Sequence, residues 1–330
     1  MTAPKYKRHV PKDGSRHRLT TYIAVSLFVL VDVALIGWAL NSTRGAPTAP
    51  QAVEISAATT PQAEPTQSST PEPTAAAPTF TLAEAVTPTR IITALNATTA
   101  WRAQTGPCPA TAAEPEYTLD GGVTWTTTDA SGPTDVTAIQ SITVEADGIA
   151  SMVALAGTDC APEFVKTFVA GDNYRAYDDQ LENNWYVDPD EPMTVVSPSG
   201  SVDSPCGQVV ALAPTSQNTA AVLCSDQTVF MTDSGGVDWI GPVSAPSTVG
   251  ISASVAGYRL ASVGNADCAG IQLGMLLPGQ SAVDVTGCLL SETITAESAG
   301  DIAVSEAEGS VWVWAQDQVS RTADGGATWE

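Results

Sequence analysis

The chain has 330 residues, with 13 Lys+Arg against 36 Asp+Glu and a formal net charge of −23. That sign excludes a nucleic-acid binder that works by neutralising phosphates. Charged residues make up only 15% of the chain while Gly and Pro number 26 and 23, a balance that suits strands and turns better than a helical bundle.

The charge is unevenly spread. Residues 1–20 carry Lys5, Lys7, Arg8, Lys12, Arg16 and Arg18 against Asp13, whereas residues 41–330 hold seven basic and 34 acidic residues. Both histidines, His9 and His17, lie in the basic head. The rest of the chain therefore has no means of Ser-His-Asp or Cys-His catalysis, nor of a His-ligated zinc site.

Tyr22–Leu40 is an apolar run of 19 residues, close to the roughly 20 that a helix needs to cross a bilayer. Six basic residues precede it and Arg44 alone follows closely. The positive-inside rule puts the head in the cytoplasm and the remainder outside. A cleaved signal peptide would have an apolar core of about 7–15 residues and a small-x-small site. Trp38-Ala39-Leu40-Asn41 is a poor site, so the expectation is a retained, single-pass signal anchor over 21–40. Asp32 is the one acid within it, and its cost is outweighed by eleven Leu, Ile, Phe and Val residues.

Residues 41–88 are rich in Ala, Thr, Pro, Ser and Gln, with eight prolines from Pro47 to Pro88. Such a stretch buries too little apolar surface to offset chain entropy and is expected to be an extended or disordered linker. The domain reading is a cytoplasmic head (1–20), an anchor (21–40), this linker (41–88) and an extracytoplasmic body (89–330).

From about residue 90, short runs of Val, Ile, Thr, Trp and Ala alternate with Gly, Pro, Asn and Asp, which is strand-and-turn patterning. Aligning the chain with itself gives five rough copies, each ending in a Gly-rich turn and, in all but the fourth, a Trp. The second copy (Val136 to Trp185) and the fourth (Val249 to about Asp284) are the more degenerate. Trp125, Trp185, Trp239 and Trp329 mark the period. Repeats of this length with four strands each point to the radial blades of a β-propeller, all-β, with five blades. A sixth copy would have to be hidden near 186–206.

The turn motif is the most specific signal. Thr118-Leu119-Asp120-Gly121-Gly122-Val123-Thr124-Trp125 and Thr322-Ala323-Asp324-Gly325-Gly326-Ala327-Thr328-Trp329 share S/T-x-D-x-G-x-T-W. Thr232, Ser234, Gly236 and Trp239 form a worn copy, with Asp238 in place of the second Thr. An Asp carboxylate can accept from loop N–H groups, Gly permits positive φ, and the indole packs at the hairpin base.

This pattern resembles the Asp-box, or BNR, repeat of sialidases, sortilin-type domains and photosystem II assembly-factor-like propellers. The resemblance covers about 90–330. It implies that the boxes join the third and fourth strands of a blade and are structural, so no catalytic residue is assigned to them. Because the sequence ends at Trp329-Glu330, a strand from elsewhere is expected to fill the last blade, with Phe80–Val86 or Arg90–Leu95 as donor.

The six cysteines all follow the apolar run, and an even number outside the cell argues for three disulfides. Cys268 and Cys288 flank Pro278-Gly279 as hairpin partners would, and Cys206 and Cys224 flank Pro214-Thr215. Cys108 and Cys160 remain to pair between neighbouring copies.

The sialidase resemblance implies an arginine triad, a Tyr nucleophile with a Glu partner and an acid/base Asp. Here the body has Arg90, Arg102, Arg175, Arg259 and Arg321, and the family's Arg-Ile-Pro signature is absent, Arg90-Ile91-Ile92 being nearest. From residue 90 there are six basic and 30 acidic residues, a field that disfavours an anionic sugar. A two-carboxylate glycoside hydrolase needs only paired acids, so it stays open. One acidic cluster, with Asp178, Asp179, Asp188 and Asp190 around Trp185, is a candidate binding loop for a sugar or peptide. Calcium is the one cofactor its carboxylates would suit, though no EF-hand spacing supports it.

The functional expectation is a non-enzymatic binding or scaffold module at a bacterial cell surface. Its partners would be the membrane and an extracellular protein or glycan, not nucleic acid. The alternatives are a glycoside hydrolase on the same fold and an assembly factor for an envelope complex.

Overall fold

In the computed structural model the described residues are 80–330. The basic head, the apolar run and residues 41–79 lie outside them. Among the described residues no helix is long and apolar enough to cross a membrane.

The chain forms six antiparallel sheets. Blade 1 holds β1 (Arg90–Ala94), β2 (Ala100–Gln104), β3 (Glu116–Thr118) and β4 (Thr126–Thr127). Blade 2 holds β5 (Val136–Ala146), β6 (Ile149–Ala156), β7 (Ala161–Thr167) and β8 (Tyr174–Ala176). Blade 3 is reduced to β9 (Tyr186–Val187), β10 (Thr194–Ser197) and β11 (Gly200–Asp203). Blade 4 holds β12 (Val209–Pro214), β13 (Ala220–Cys224), β14 (Thr228–Thr232) and β15 (Ile240–Ser244). Blade 5 holds β16 (Thr248–Ala253), β17 (Tyr258–Val263), β18 (Gly270–Leu276) and β19 (Asp284–Leu290). Blade 6 holds β20 (Ile302–Ala307), β21 (Ser310–Ala315) and β22 (Gln318–Thr322).

The inmost strand present in each blade meets that of the next, β1 with β5, β5 with β9, β9 with β12, β12 with β16, β16 with β20, and β20 again with β1. That closed circuit makes the fold a six-bladed propeller. Of the five or six blades expected, six are present, and the sixth copy lies where it would have to hide: blade 3 occupies only 186–203 and carries neither a Trp box nor long apolar runs.

Alternation along each strand sends side chains to both faces of its sheet, and facing sheets bury them against one another. Trp101, Ile139, Ile142, Met152 and Tyr174 fill the space between blades 1 and 2. Leu223, Met231, Tyr258 and Leu260 fill that between blades 4 and 5, and Val249, Ile271, Ile302 and Val313 that between blades 5 and 6. Ile92, Trp312 and Trp314 join blades 6 and 1, and Trp185, Val195 and Val222 join blades 3 and 4.

Among the described residues no borrowed strand closes the ring. Arg90–Ala94 is the innermost strand of blade 1, and β22 pairs with β21 alone among the named strands. Glu330 itself begins a fourth rank by exchanging two backbone bonds with Arg321. Phe80–Val86 instead packs across the blade ends. Ala85 N donates to Ser225 O at 2.8 Å, and Gln227 Nε2 donates to Leu82 O at 2.6 Å. Thr89 N then reaches Gly300 O at 2.9 Å. Residues 80–88, placed in the linker by composition, thus touch blades 4 and 6 on the way into β1.

Three disulfides join Cys108 to Cys160, Cys206 to Cys224 and Cys268 to Cys288, the same pairs that the spacing suggests. The first ties blade 1 to blade 2. Cys206 lies ahead of β12, so the second ties the approach to blade 4 to the end of β13.

Candidate functional site

The box turns set the blades in place. Thr118 Oγ1 accepts from Asp120 N at 3.3 Å and Gly122 N at 3.0 Å. It donates to Asp120 Oδ1 at 2.8 Å. Asp120 then accepts from Thr124 N at 2.9 Å and Thr124 Oγ1 at 2.6 Å. The second box repeats this with Thr322, Asp324, Gly326 and Thr328. These donors favour the charged carboxylate. The hydroxyl and N–H of Thr124, with the Thr118 hydroxyl, hold Asp120 down to about 2. Asp324 is also held well below the usual range, chiefly by the N–H of Thr328 and then by the hydroxyls of Thr322 and Thr328. In the worn copy Thr232 Oγ1 accepts from Ser234 N and Gly236 N, and Ser234 Oγ accepts from Asp238 N at 2.9 Å.

A fourth such turn is hidden in blade 2. Thr167 Oγ1 accepts from Val169 N at 3.3 Å and Gly171 N at 3.0 Å. In Thr167-Phe168-Val169-Ala170-Gly171-Asp172-Asn173-Tyr174, Val169 stands at the Asp position and Tyr174 at the Trp position. Tyr174 is buried at 3% exposure and shares a 2.6 Å hydrogen bond with Thr128 Oγ1. Burial raises its pKa. Trp185, which the spacing makes the box residue of this copy, instead precedes β9 and is buried between blades 3 and 4.

In each turn the glycine four residues after the leading Thr is pressed onto the blade before it. A Cβ on Gly122 would stand 3.3 Å from Trp312 Cζ3, and one on Gly236 2.6 Å from Val202 Cγ2. A Cβ on Gly171 would stand 2.3 Å from Thr128 Cγ2, and one on Gly326 2.9 Å from Gly287 Cα. All four residues have positive φ. Trp125 Nε1 donates to Gly122 O at 3.1 Å and Trp329 Nε1 to Cys288 O at 2.9 Å, whereas Trp239 Nε1 is buried without an acceptor. The boxes are inter-blade rivets, and their chemistry is spent on the fold.

The first strands surround an axial cavity of about 880 Å³. Aliphatic residues dominate its wall, among them Ile91, Val144, Val187, Val210 and Ile251. Its charged lining residues are Arg90 and Glu306. Glu306 Oε2 is held by Arg259 Nε at 2.7 Å. Arg90 stacks on Trp314, 4.6 Å from the ring centroid, and burial lowers its pKa against the pull of Asp301 and Asp317.

The acidic cluster does not assemble into one site. Asp178 and Asp179 open a 3₁₀ turn, Asp178–Asn183. Asp188 Oδ1 accepts from Asp190 N at 2.9 Å and Glu191 N at 3.3 Å, which closes a local turn. Trp185 gives its N–H to Ser216 O at 2.9 Å and belongs to the core, not to an exposed binding loop. Among the described residues no group of three His, Cys, Asp or Glu is placed to share a metal ion.

No family model matches the chain, and no curated protein matches it. Solved structures do. YCF48 from Cyanidioschyzon merolae is 16% identical, with a TM-score of 0.29 over 79% of this chain and 86% of that one. The WD40 β-propeller domain of Doa1 is 10% identical, with a TM-score of 0.39 over 77% and 100%. The GH74 xyloglucanase of Xanthomonas campestris is 12% identical, with a TM-score of 0.28 over 73% and 37%.

Proposed function

We propose that this protein is a membrane-anchored Asp-box propeller, outside the cytoplasm, that acts as a non-enzymatic binding module for another protein. The carrying observation is the cavity wall. Hydrolysis by two carboxylates needs a pair across the scissile bond. Among the described lining residues there is one carboxylate, Glu306, already engaged by Arg259. An apolar cavity with few charges suits binding better than acid–base work. The three disulfides favour an oxidising compartment, and the basic head ahead of the 21–40 run favours the stated orientation.

The test pairs two assays on the full-length chain. Reciprocal crosslinking in intact cells should capture a saturable protein partner, and a panel of envelope glycans should be left uncut. Glycan turnover that Glu306→Gln abolishes would overturn the binding reading. Protease added to whole cells should remove the propeller, and protection from it would overturn the orientation.

A further inference from the structure

Among the described residues the propeller has five true innermost strands and six blades. Ser197 begins the turn between β10 and β11. Its Oγ accepts from Ser199 N at 3.1 Å, as Thr118 Oγ1 accepts from Asp120 N. The same hydroxyl donates to Gly235 O, in the box of blade 4, at 2.8 Å. That turn therefore corresponds to a box, and β10 and β11 are third and fourth strands. β9 is then a second strand. Trp185 beside it agrees, because its indole reaches the β12–β13 turn of the next blade at Ser216 O. In the same way Trp312, on second strand β21, reaches Asn96 O at 3.1 Å. The rank inside β9, filled in the other five blades by β1, β5, β12, β16 and β20, has no strand among the described residues.

The edge that this leaves faces the cavity. β9 pairs with β10 alone, in the register Tyr186↔Val196 and Val187↔Val195. Asp188 N donates to Thr194 O, so by the alternation of an antiparallel ladder Tyr186 bonds to β10 and Val187 points its N–H and C=O the other way. Trp185, Tyr186 and Val187 all line the cavity. What meets that edge is a side chain: Gln140 Nε2 of β5 donates to Val187 O at 3.1 Å. A primary amide standing in for a strand at a sheet edge is a removable cap.

We infer that the missing rank is a docking site for an extended segment of a partner protein, which enters the axial cavity and adds to β9 as the innermost strand of blade 3. This deepens the binding reading above and rests on it. Main-chain bonds to Val187 would supply pairing, and the aliphatic wall would take apolar or small side chains. Outside the cavity the segment should be cationic. The body carries 30 acids against six bases from residue 90 onward, and Arg102, Lys166, Arg259 and Arg321 are already in ion pairs.

The probe is a synthetic peptide of alternating Val and Thr, about six residues long as strands usually are, flanked by Lys-Lys at both ends. It is titrated into the full-length chain while hydrogen exchange is followed over 184–190 by mass spectrometry. Saturable protection of that segment is expected, absent for a control peptide whose Thr residues are Pro, which cannot donate. Gln140→Ala uncaps Val187 O and should tighten binding about fivefold, the weight of one hydrogen bond. Val187→Pro should abolish binding, with thermal melting confirming that the variant folds. Protection elsewhere, or a Gln140→Ala variant with unchanged affinity, overturns the proposal. So does a segment already protected in the free chain, which would mean that this chain or a second copy fills the edge. None of these outcomes would create glycan turnover, so failure here and failure of the binding reading are separate results.

Discussion

The guanidinium of Arg102 lies 4.0 Å from the ring centroid of Trp125 and 4.6 Å from that of Trp314. Trp314 belongs to blade 6 and Arg102 to blade 1, so the stack crosses the seam where the chain's two ends meet. Arg90 continues it on Trp314, and Glu116 Oε2 anchors Arg102 Nε at 2.6 Å. Ala94 N to Ser305 Oγ and Trp312 Nε1 to Asn96 O complete the closure.

Replacing Arg102 with Met keeps an apolar stem but removes the cation between two indoles and leaves Glu116 without its partner. The expected cost is about 2 kcal/mol, with Arg102→Lys recovering less than half because an ammonium cannot stack as a plane. Denaturant unfolding measures it. A loss below about 0.5 kcal/mol would place the weight of the closure on the aliphatic contacts instead.

The box carboxylates set an acid limit. An unfolded Asp titrates near 3.9, and Asp120 in the folded chain near 2. The folded carboxylate binds its proton less readily, so its stabilisation is complete above the unfolded value and disappears as the pH falls through the folded one. Asp324 is shifted in the same direction. The melting temperature should therefore drop between about pH 4 and 2. The Asp120→Asn, Asp324→Asn double variant should melt lower at neutral pH and show a flatter profile across that window. Parallel profiles would separate these two residues from acid sensitivity.

Thr167→Val should behave as a rivet lost. The hydroxyl is fully buried and serves the N–H groups of Val169 and Gly171. Leaving both unpaired costs about 2 kcal/mol, while Thr167→Ser should be close to neutral. A larger loss for Ser than for Val would mean that the methyl, not the hydroxyl, matters at this turn.

The disulfides should differ in weight. Cys108–Cys160 spans 52 residues and Cys206–Cys224 spans 18. On loop entropy alone, removing them as Cys→Ser pairs costs about 4 and about 3 kcal/mol respectively. Urea midpoints in that order are expected, and the reverse order would point to strain or to contacts specific to blade 4.

The sequence by itself was enough for the strand-and-turn class, two full boxes, a worn third and the cysteine pairs. Those signals are local, save Cys108–Cys160, which follows from the other two pairs: a turn needs its Gly and its acceptor within a few residues, and hairpin cysteines flank their own bend. Only the tertiary structure showed the turn at Thr167, because Val169 and Tyr174 erase the Asp and Trp while the buried hydroxyl still gathers the same N–H groups. It also decided the blade count, since β9–β11 are too short to show a period. Trp185 moved from a box to the core for the same reason. Ring closure and the empty rank inside β9 depend on which strands become neighbours after the chain has turned full circle. No window of sequence holds both Arg102 and Trp314, or both Gln140 and Val187, so no local pattern could have named those contacts.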